Sequence, residues 1–269
     1  MSYVEHKITV PEAFRDVFSQ FYYAENNTEH SVTRTLVPSY QMFMIFIFGS
    51  DGRVFIQGPA IEKTAIEKCI VLGPVKRAFD YTLLTNTQLL VLSFKDDAFY
   101  RFFGTSADAD RLPLDPNILV SDNCFTRLWE SMQFMNGPAK RIRHILHFCT
   151  PYLKVQPLAA QQLLSLRGSV INPIKKIAAD THQSERSIQL HHKKYLGYSA
   201  KELARYDRFM KAIKMIQDKA MKATKENWFD IIDQCGYYDQ SQLIKDFKYY
   251  IHLSPVKYIE MQRSICGIL

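Results

Sequence analysis

The chain has 269 residues, of which 47% are hydrophobic and 23% charged, enough for two packed cores. Its net charge of +7 is uneven: residues 171–269 hold 17 Lys+Arg against 11 Asp+Glu, and residues 1–170 hold 17 against 16. That excess suits a polyanion partner for the last hundred residues, although a soluble protein with a basic face would share it, and the most apolar run, Met42 to Phe48, is far too short to span a bilayer.

In chain order, Pro11 to Tyr23 carries Phe14, Val17, Phe18 and Phe21 at helical spacing, which predicts a helix. Short β-type runs follow at Ser31–Val37, Gln41–Phe48, Arg53–Gln57, Glu67–Leu72, Arg77–Thr85 and Gln88–Phe94, with turn signals such as Gly58-Pro59 and Gly73-Pro74 between them. Strands at this spacing predict an antiparallel barrel or sandwich. A short helix is expected over Asp96–Phe103. From Asp122 the pattern turns helical: Asp122–Asn136 and Pro138–Phe148 are broken at Gly137-Pro138, Gln156–Leu166 follows, and Gly168-Ser169 closes the segment.

The last hundred residues are one small motif written twice. With Ser184 set on Asp239, Ile188 falls on Leu243, His192 on Phe247, Tyr195 on Tyr250 and Ser199 on Ser254. In the first copy Asn172 caps a helix that starts at Pro173 and buries Ile174, Ile177 and Ala178. Asp180-Thr-His-Gln183 forms the turn. Ser184 caps the next helix, with Ile188 and His192 inward and Glu185, Arg186, Gln189, Leu190 and Lys193 outward. Ser199-Ala-Lys-Glu202 is a capping box that opens a long joining helix with Leu203, Tyr206, Phe209, Met210, Ile213 and Ile216 along one side. In the second copy Trp228, Ile231 and Ile232 make the short helix and Cys235-Gly-Tyr-Tyr238 the turn. Asp239-Gln-Ser-Gln242 is an acidic capping box; Leu243 and Phe247 face in, and Gln240, Gln242, Lys245 and Lys248 face out.

Two such units on one rod can place two helices in DNA. Arg186, Gln189, Gln240 and Gln242 have the fork and amide groups that pair with base edges. Lys193, Lys245 and Lys248 would hold phosphates, which sets affinity and not sequence. Gln and Lys also occur on merely solvated helix faces, so the repeat as a whole carries the argument.

The stretch Gly236-Tyr-Tyr-Asp-Gln-Ser-Gln-Leu-Ile-Lys-Asp-Phe-Lys248, with Leu253-Ser-Pro255, closely resembles the second helix-turn-helix signature of the AraC/XylS family of bacterial transcription regulators. The first copy resembles that family's first helix-turn-helix, and Ala204-Arg-Tyr-Asp-Arg-Phe209 resembles the start of its connecting helix. The resemblance implies that Ser184–Tyr195 and Asp239–Tyr250 are recognition helices. More loosely, Val37-Pro to Phe48-Gly, Ile56-Gln-Gly-Pro59 and Leu90-Val-Leu-Ser-Phe-Lys95 resemble an N-terminal sensory-type domain of one AraC subgroup, which implies a β-rich, cupin-like body. Four positions depart from the family: His192 stands where a large apolar residue is usual, His182 replaces a turn Gly, Ile232 replaces a small Ala-like residue, and Leu190 stands where Arg or a polar residue is frequent. The first copy is therefore expected to read sequence less strongly than the second.

No catalytic set is visible. His6 and His30 are far apart, so a metal cupin's His cluster is missing from the front, and there is no phosphate loop or nucleophile elbow. His144 and His147 have a spacing that could hold a metal, but a helix-surface pair beside Arg141 and Arg143 is the better reading. Five scattered Cys without CxxC spacing read as reduced, packed thiols, and the opening Met-Ser-Tyr-Val-Glu-His-Lys lacks a signal-peptide layout. The expectation is thus an α+β chain in three parts: a β-rich sensory domain over 1–121, a helical connector over 122–168, and a double helix-turn-helix over 169–269. It is a cytoplasmic transcription regulator, not an enzyme, with no cofactor and no metal. Its partners are double-stranded DNA, a small-molecule effector or a second copy of the chain or both through the front and connector, and RNA polymerase if it activates; no membrane is expected. A cupin-like enzyme with a DNA-binding tail and an architectural binder without sequence choice are the competing readings.

Overall fold

The computed structural model describes residues 2–50, 52–59, 61–105, 113–166, 173–221 and 228–265. The chain divides into two compact units, Met1–Ser199 and Ala200–Leu269.

Among the described residues, the first unit is built on nine antiparallel strands: β1 (Tyr3–Ile8), β2 (Phe18–Asn26), β3 (Val32–Leu36), β4 (Phe43–Gly49), β5 (Arg53–Gly58), β6 (Ile61–Glu67), β7 (Cys69–Leu72), β8 (Phe79–Leu83) and β9 (Thr87–Phe94). They form a five-stranded sheet in the order β1-β2-β9-β4-β7 and a four-stranded sheet in the order β3-β8-β5-β6. Strand β4 shows why its sequence is apolar at every position. Phe43, Ile45 and Ile47 face the space between the sheets, while Met44, Phe46 and Phe48 face a second core under helices. A strand covered on both faces loses the usual polar–apolar alternation.

The helical cover consists of α1 (Ala98–Phe103), α2 (Pro116–Val120), α3 (Cys124–Met132) and α4 (Pro138–Cys149). Phe99, Phe102, Phe103 and Phe125 pack with Phe94 and Phe18 in this second core. Each fully buried aromatic contributes about 2–3 kcal/mol by leaving water. Trp129 on α3 stacks on Phe48 and donates its indole N–H to the Ile47 carbonyl at 2.7 Å. Arg141 on α4 is buried, lies 3.8 Å over the Phe48 ring and donates to Gln88 Oε1 at 2.7 Å. Then come α5 (Leu158–Ser165), α6 (Pro173–Thr181) and α7 (Glu185–Leu196), which close the first unit. The second unit holds α8 (Ala200–Met221), α9 (Trp228–Cys235), α10 (Gln240–Ile251) and α11 (Pro255–Ile265). No helix of the described residues is long and apolar enough to cross a membrane.

The expected α+β order, a β-rich front followed by a helical back, is the order observed. The helix expected over Pro11–Tyr23 is not there: Glu12–Phe14 is a single tight turn and Phe18–Asn26 is strand β2. The cause is a bulge between Phe18 and Gln20 in the pairing with β9. One extra residue puts Phe18 and Phe21 on the same buried face, an i, i+3 spacing that copies a helix. Strands β1 and β6 and the short α2 are additional elements. The break at Gly168-Ser169, the Asn172 cap and Cys266 lie outside the described residues. Cys69, Cys124, Cys149 and Cys235 are free and buried, and burial pushes all four thiols up.

Candidate nucleic-acid interface

Each repeat folds as a short helix, a left-handed turn and a capped second helix. After α6, His182 sits at φ +54°. Its N–H reaches the Ala179 carbonyl at 3.4 Å, and the Gln183 N–H reaches Ala178 at 3.0 Å. After α9, Gly236 sits at φ +75°, its N–H reaches Asp233 at 3.1 Å, and the Tyr237 N–H reaches Ile232 at 2.9 Å. These are the same Schellman closure, which satisfies the last carbonyls of a helix. The turns therefore correspond at a step of 54 residues and the helices after them at 55, with Tyr238 as the inserted residue.

The second helices start alike. Ser184 Oγ accepts the Ser187 N–H at 3.1 Å, and Asp239 Oδ1 accepts the Gln242 N–H at 2.7 Å. Both caps match the expectation. They also end alike, on residues in left-handed conformation: Gly197 at φ +79° and His252 at φ +60°. Each copy thus uses one Gly and one His at its two left-handed positions, in opposite order.

Inside the first copy, Ile174, Ile177, Ala178, Ile188 and Leu196 are buried. His192 is buried as well, and its Nδ1–H donates to the Tyr198 carbonyl at 2.7 Å while the two rings meet edge to face. A buried ring with a polar edge can occupy an aromatic core position when a carbonyl satisfies its N–H. Inside the second copy, Ile231, Leu243, Phe247 and Tyr250 are buried, with Phe209 of α8 stacked on Tyr250 and edge-on to Phe247. Of the residues placed along one side of α8, Leu203, Phe209, Ile213 and Ile216 are buried and Met210 is 40% exposed.

On α7, Arg186, Gln189 and Lys193 are exposed and follow i, i+3, i+7, so they share one face. Leu190 on the same helix is exposed too. On α10, Gln240, Lys245 and Lys248 are exposed. Gln242 is half-buried, and its Oε1 accepts the Tyr238 N–H at 3.0 Å. The sequence assigned Gln242 both to the capping box and to the outward face; its oxygen is engaged in the cap.

A residue that sequence reasoning missed is Asp246, on α10 between the two lysines. It is buried and receives Arg205 at 2.6 Å and Arg208 at 3.2 Å from α8. The Arg205 guanidinium also lies 4.3 Å over the Tyr249 ring, and Arg208 lies 4.6 Å over Tyr237. In the first unit, α7 is tied to the β-rich body by rings. Tyr195 meets Tyr100 of α1 edge to face at 4.9 Å, and Tyr198 meets Tyr40 likewise at 5.1 Å.

The front holds a cavity of about 340 Å³ between the two sheets. Phe43, Ile45, Val54, Ile56, Leu89 and Val91 form its apolar wall. One end is polar: Tyr22, Tyr81, Glu5 and Arg34 line it. The Tyr22 and Tyr3 hydroxyls donate to Glu5 Oε2 at 2.8 and 2.7 Å, and Tyr81 Oη lies 3.4 Å from Tyr22 Oη. The two phenol protons hold the Glu5 carboxyl below the usual carboxylate range. Burial raises the Tyr22 and Tyr81 phenols and pushes Tyr3 to about 12. Elsewhere His144 Nε2 lies 2.8 Å from Ser131 Oγ. Among the described residues no three His, Cys, Asp or Glu side chains are grouped to hold a metal ion.

No protein-family model matches the chain, and no curated protein does. Solved structures similar to it include ToxT from Vibrio cholerae, with 14% identity over 90% of this chain and 98% of that one, and a TM-score of 0.40. The AraC-like transcriptional activator CuxR shows 8% identity over 98% of this chain and 86% of that one, with a TM-score of 0.23. HppE in its Fe(II) form shows 7% identity over 34% of this chain and 50% of that one, with a TM-score of 0.27.

Proposed function

We propose that the chain is a sequence-specific DNA-binding transcription regulator of the AraC type, acting in the cytoplasm. The observation that carries this reading is the doubled unit: two Schellman turns, each followed by a side-chain-capped helix that presents exposed cationic and amide side chains. In this reading α7 and α10 enter successive major grooves, roughly 34 Å apart on one face of the duplex. Arg186, Gln189 and Gln240 read base edges, and Gln242 does so through its amide N–H₂, since its oxygen serves the cap. Lys193, Lys245 and Lys248 hold phosphates. The β-rich front takes a small-molecule effector in its inter-sheet cavity and, with the connector helices, mediates pairing with a second copy. The effector shifts the population toward an arrangement in which both helices engage DNA.

Selection of bound sequences from random duplexes by the purified full chain tests this reading. Enrichment of two short blocks one helical turn apart supports it. Equal affinity for random and selected duplexes, with one salt slope, overturns it in favour of an architectural binder.

A further inference from the structure

The polar end of the inter-sheet cavity has a fixed direction of hydrogen bonding. Tyr22 has one proton, and it goes to Glu5 at 2.8 Å. Toward Tyr81, 3.4 Å away, Tyr22 can therefore only accept, so the Tyr81 proton points at Tyr22. Tyr3 spends its proton on the same Glu5 oxygen at 2.7 Å. The three phenols thus run in one sense, Tyr81 to Tyr22 to Glu5, and what Tyr81 turns to the cavity is lone pairs. A ligand group that donates to Tyr81 leaves this order of protons intact, whereas an acceptor would have to draw the Tyr81 proton away from Tyr22.

The charge at this end is already balanced. Arg34 stands 3.9 Å from the Glu5 carboxylate and its guanidinium lies 4.7 Å over the Tyr3 ring. Glu5 and Arg34 are the charged side chains of the lining, one of each sign, and Gln20 and Ser93 add an uncharged polar edge. A ligand carboxylate would meet acceptor lone pairs and an ionised Glu5. A ligand ammonium would find its counter-charge already paired with Arg34. The Glu5 and Arg34 side chains are 45% and 47% exposed, so either charge would keep part of its hydration there and gain little from a pair already closed, while the wall of Phe43, Ile45, Val54 and Ile56 favours an apolar body. At about 340 Å³ the cavity lies within the range of roughly 300–1,000 Å³ common for small-molecule sites.

We infer that this cavity takes an uncharged, largely apolar molecule bearing a hydroxyl group, alcohol or phenol, which donates its proton to Tyr81 at the head of the Tyr81–Tyr22–Glu5 chain. The inference rests on the reading that the front domain accepts an effector and names that effector's chemical class.

The test is a matched series on the full chain: 1-decanol, decanoate and decylamine below their aggregation limits, followed by calorimetric titration and thermal melting. Decanol is expected to raise the melting midpoint on the order of 5 °C near saturation, with decanoate and decylamine far weaker. Tyr81→Phe keeps the ring and is expected to weaken decanol binding about fivefold to tenfold. Leu36→Trp, on edge strand β3 at the cavity wall, is expected to abolish it while leaving the far-ultraviolet spectrum unchanged. Tightest binding by decanoate that is lost in Arg34→Gln makes this an anion site and overturns the inference. Tightest binding by decylamine that is lost in Glu5→Gln overturns it as a cation site, and binding of none of the three overturns it outright. Decanol binding that leaves affinity for a selected duplex unchanged keeps the site and removes its regulatory role, so the two readings fail separately.

Discussion

Asp246 accepts the Arg205 Nε–H at 2.6 Å, which fastens α10 to the long helix α8. The carboxylate is 2% exposed, and Arg208 adds a bond at 3.2 Å from the next turn of α8. The pair fixes α10 about its own axis and so fixes which way Lys245 and Lys248 point, since they flank Asp246 in sequence.

Removing this carboxylate strands two guanidinium groups. A fully buried pair broken on one side costs about 3–5 kcal/mol. Arg205 is 37% exposed and recovers some hydration, so about 2–3 kcal/mol is expected for Asp246→Ala in urea unfolding of the full chain. Lys248→Ala, on the exposed side, is expected to change stability by less than about 0.5 kcal/mol. Equal effects of the two changes would show that the Asp246 pair does not hold the helix.

The two turns predict opposite responses to glycine. His182 holds φ +54°, where an L side chain is strained, so His182→Gly is expected to stabilise by about 0.5–1 kcal/mol. Gly236 holds φ +75°, and a Cβ there would meet nothing within 4 Å. Gly236→Ala therefore isolates the backbone term and is expected to destabilise by about 1 kcal/mol. Thermal melting of both variants checks the pair. A destabilised His182→Gly would mean that the imidazole makes a contact worth more than the strain.

The left-handed turn at His182 was readable only through the family resemblance, in which a Gly is usual there; the repeat, set at a step of 55, places His182 on Tyr237 and hides the match to Gly236. The buried face of each second helix was readable from spacing, because the two copies share it. Strands β1 and β6 were not. Both are edge strands whose residues are mostly exposed, Glu5, His6 and Lys7 in one and Glu62, Lys63 and Thr64 in the other. Charged edges discourage pairing with other chains and erase the alternation that marks a strand. The Tyr3–Tyr22–Tyr81 end of the cavity was hidden for a different reason. Its members come from β1, β2 and β8, brought together by pairings that no local pattern encodes. Asp246 gave no signal either, since its partners lie 38 and 41 positions earlier.

Glu5 predicts an acid response. Tyr3 and Tyr22 hold its carboxyl below the usual range in the folded chain, so its contribution is present above the unfolded pKa and is lost as pH falls through the folded one. The melting midpoint should therefore drop between about pH 5 and pH 3. Glu5→Gln keeps the shape, cannot titrate, and should show a shallower drop over that window. Parallel curves for the two proteins would place the acid sensitivity elsewhere, with Glu25, also held low beside Gln88, as the next group to change.

DNA binding should separate the seven exposed or half-exposed candidates into two kinds. Lys193→Ala, Lys245→Ala or Lys248→Ala should each weaken binding on all sequences and reduce the salt slope by about 1. Gln240→Ala should instead cost about 1–3 kcal/mol on the selected site and relax one position of it. Arg186→Ala and Gln189→Ala should relax the site less than Gln240→Ala and Gln242→Ala, because exposed Leu190 occupies part of the α7 face where a polar reader could stand. Gln242→Ala has two effects, since it also removes the acceptor of the Tyr238 N–H at 3.0 Å. Gln242→Glu keeps that acceptor but replaces the amide donors with a carboxylate, so it should preserve the fold and still lose base preference. If the first-copy changes relax the site more than the second-copy ones, the ranking of the two helices is reversed.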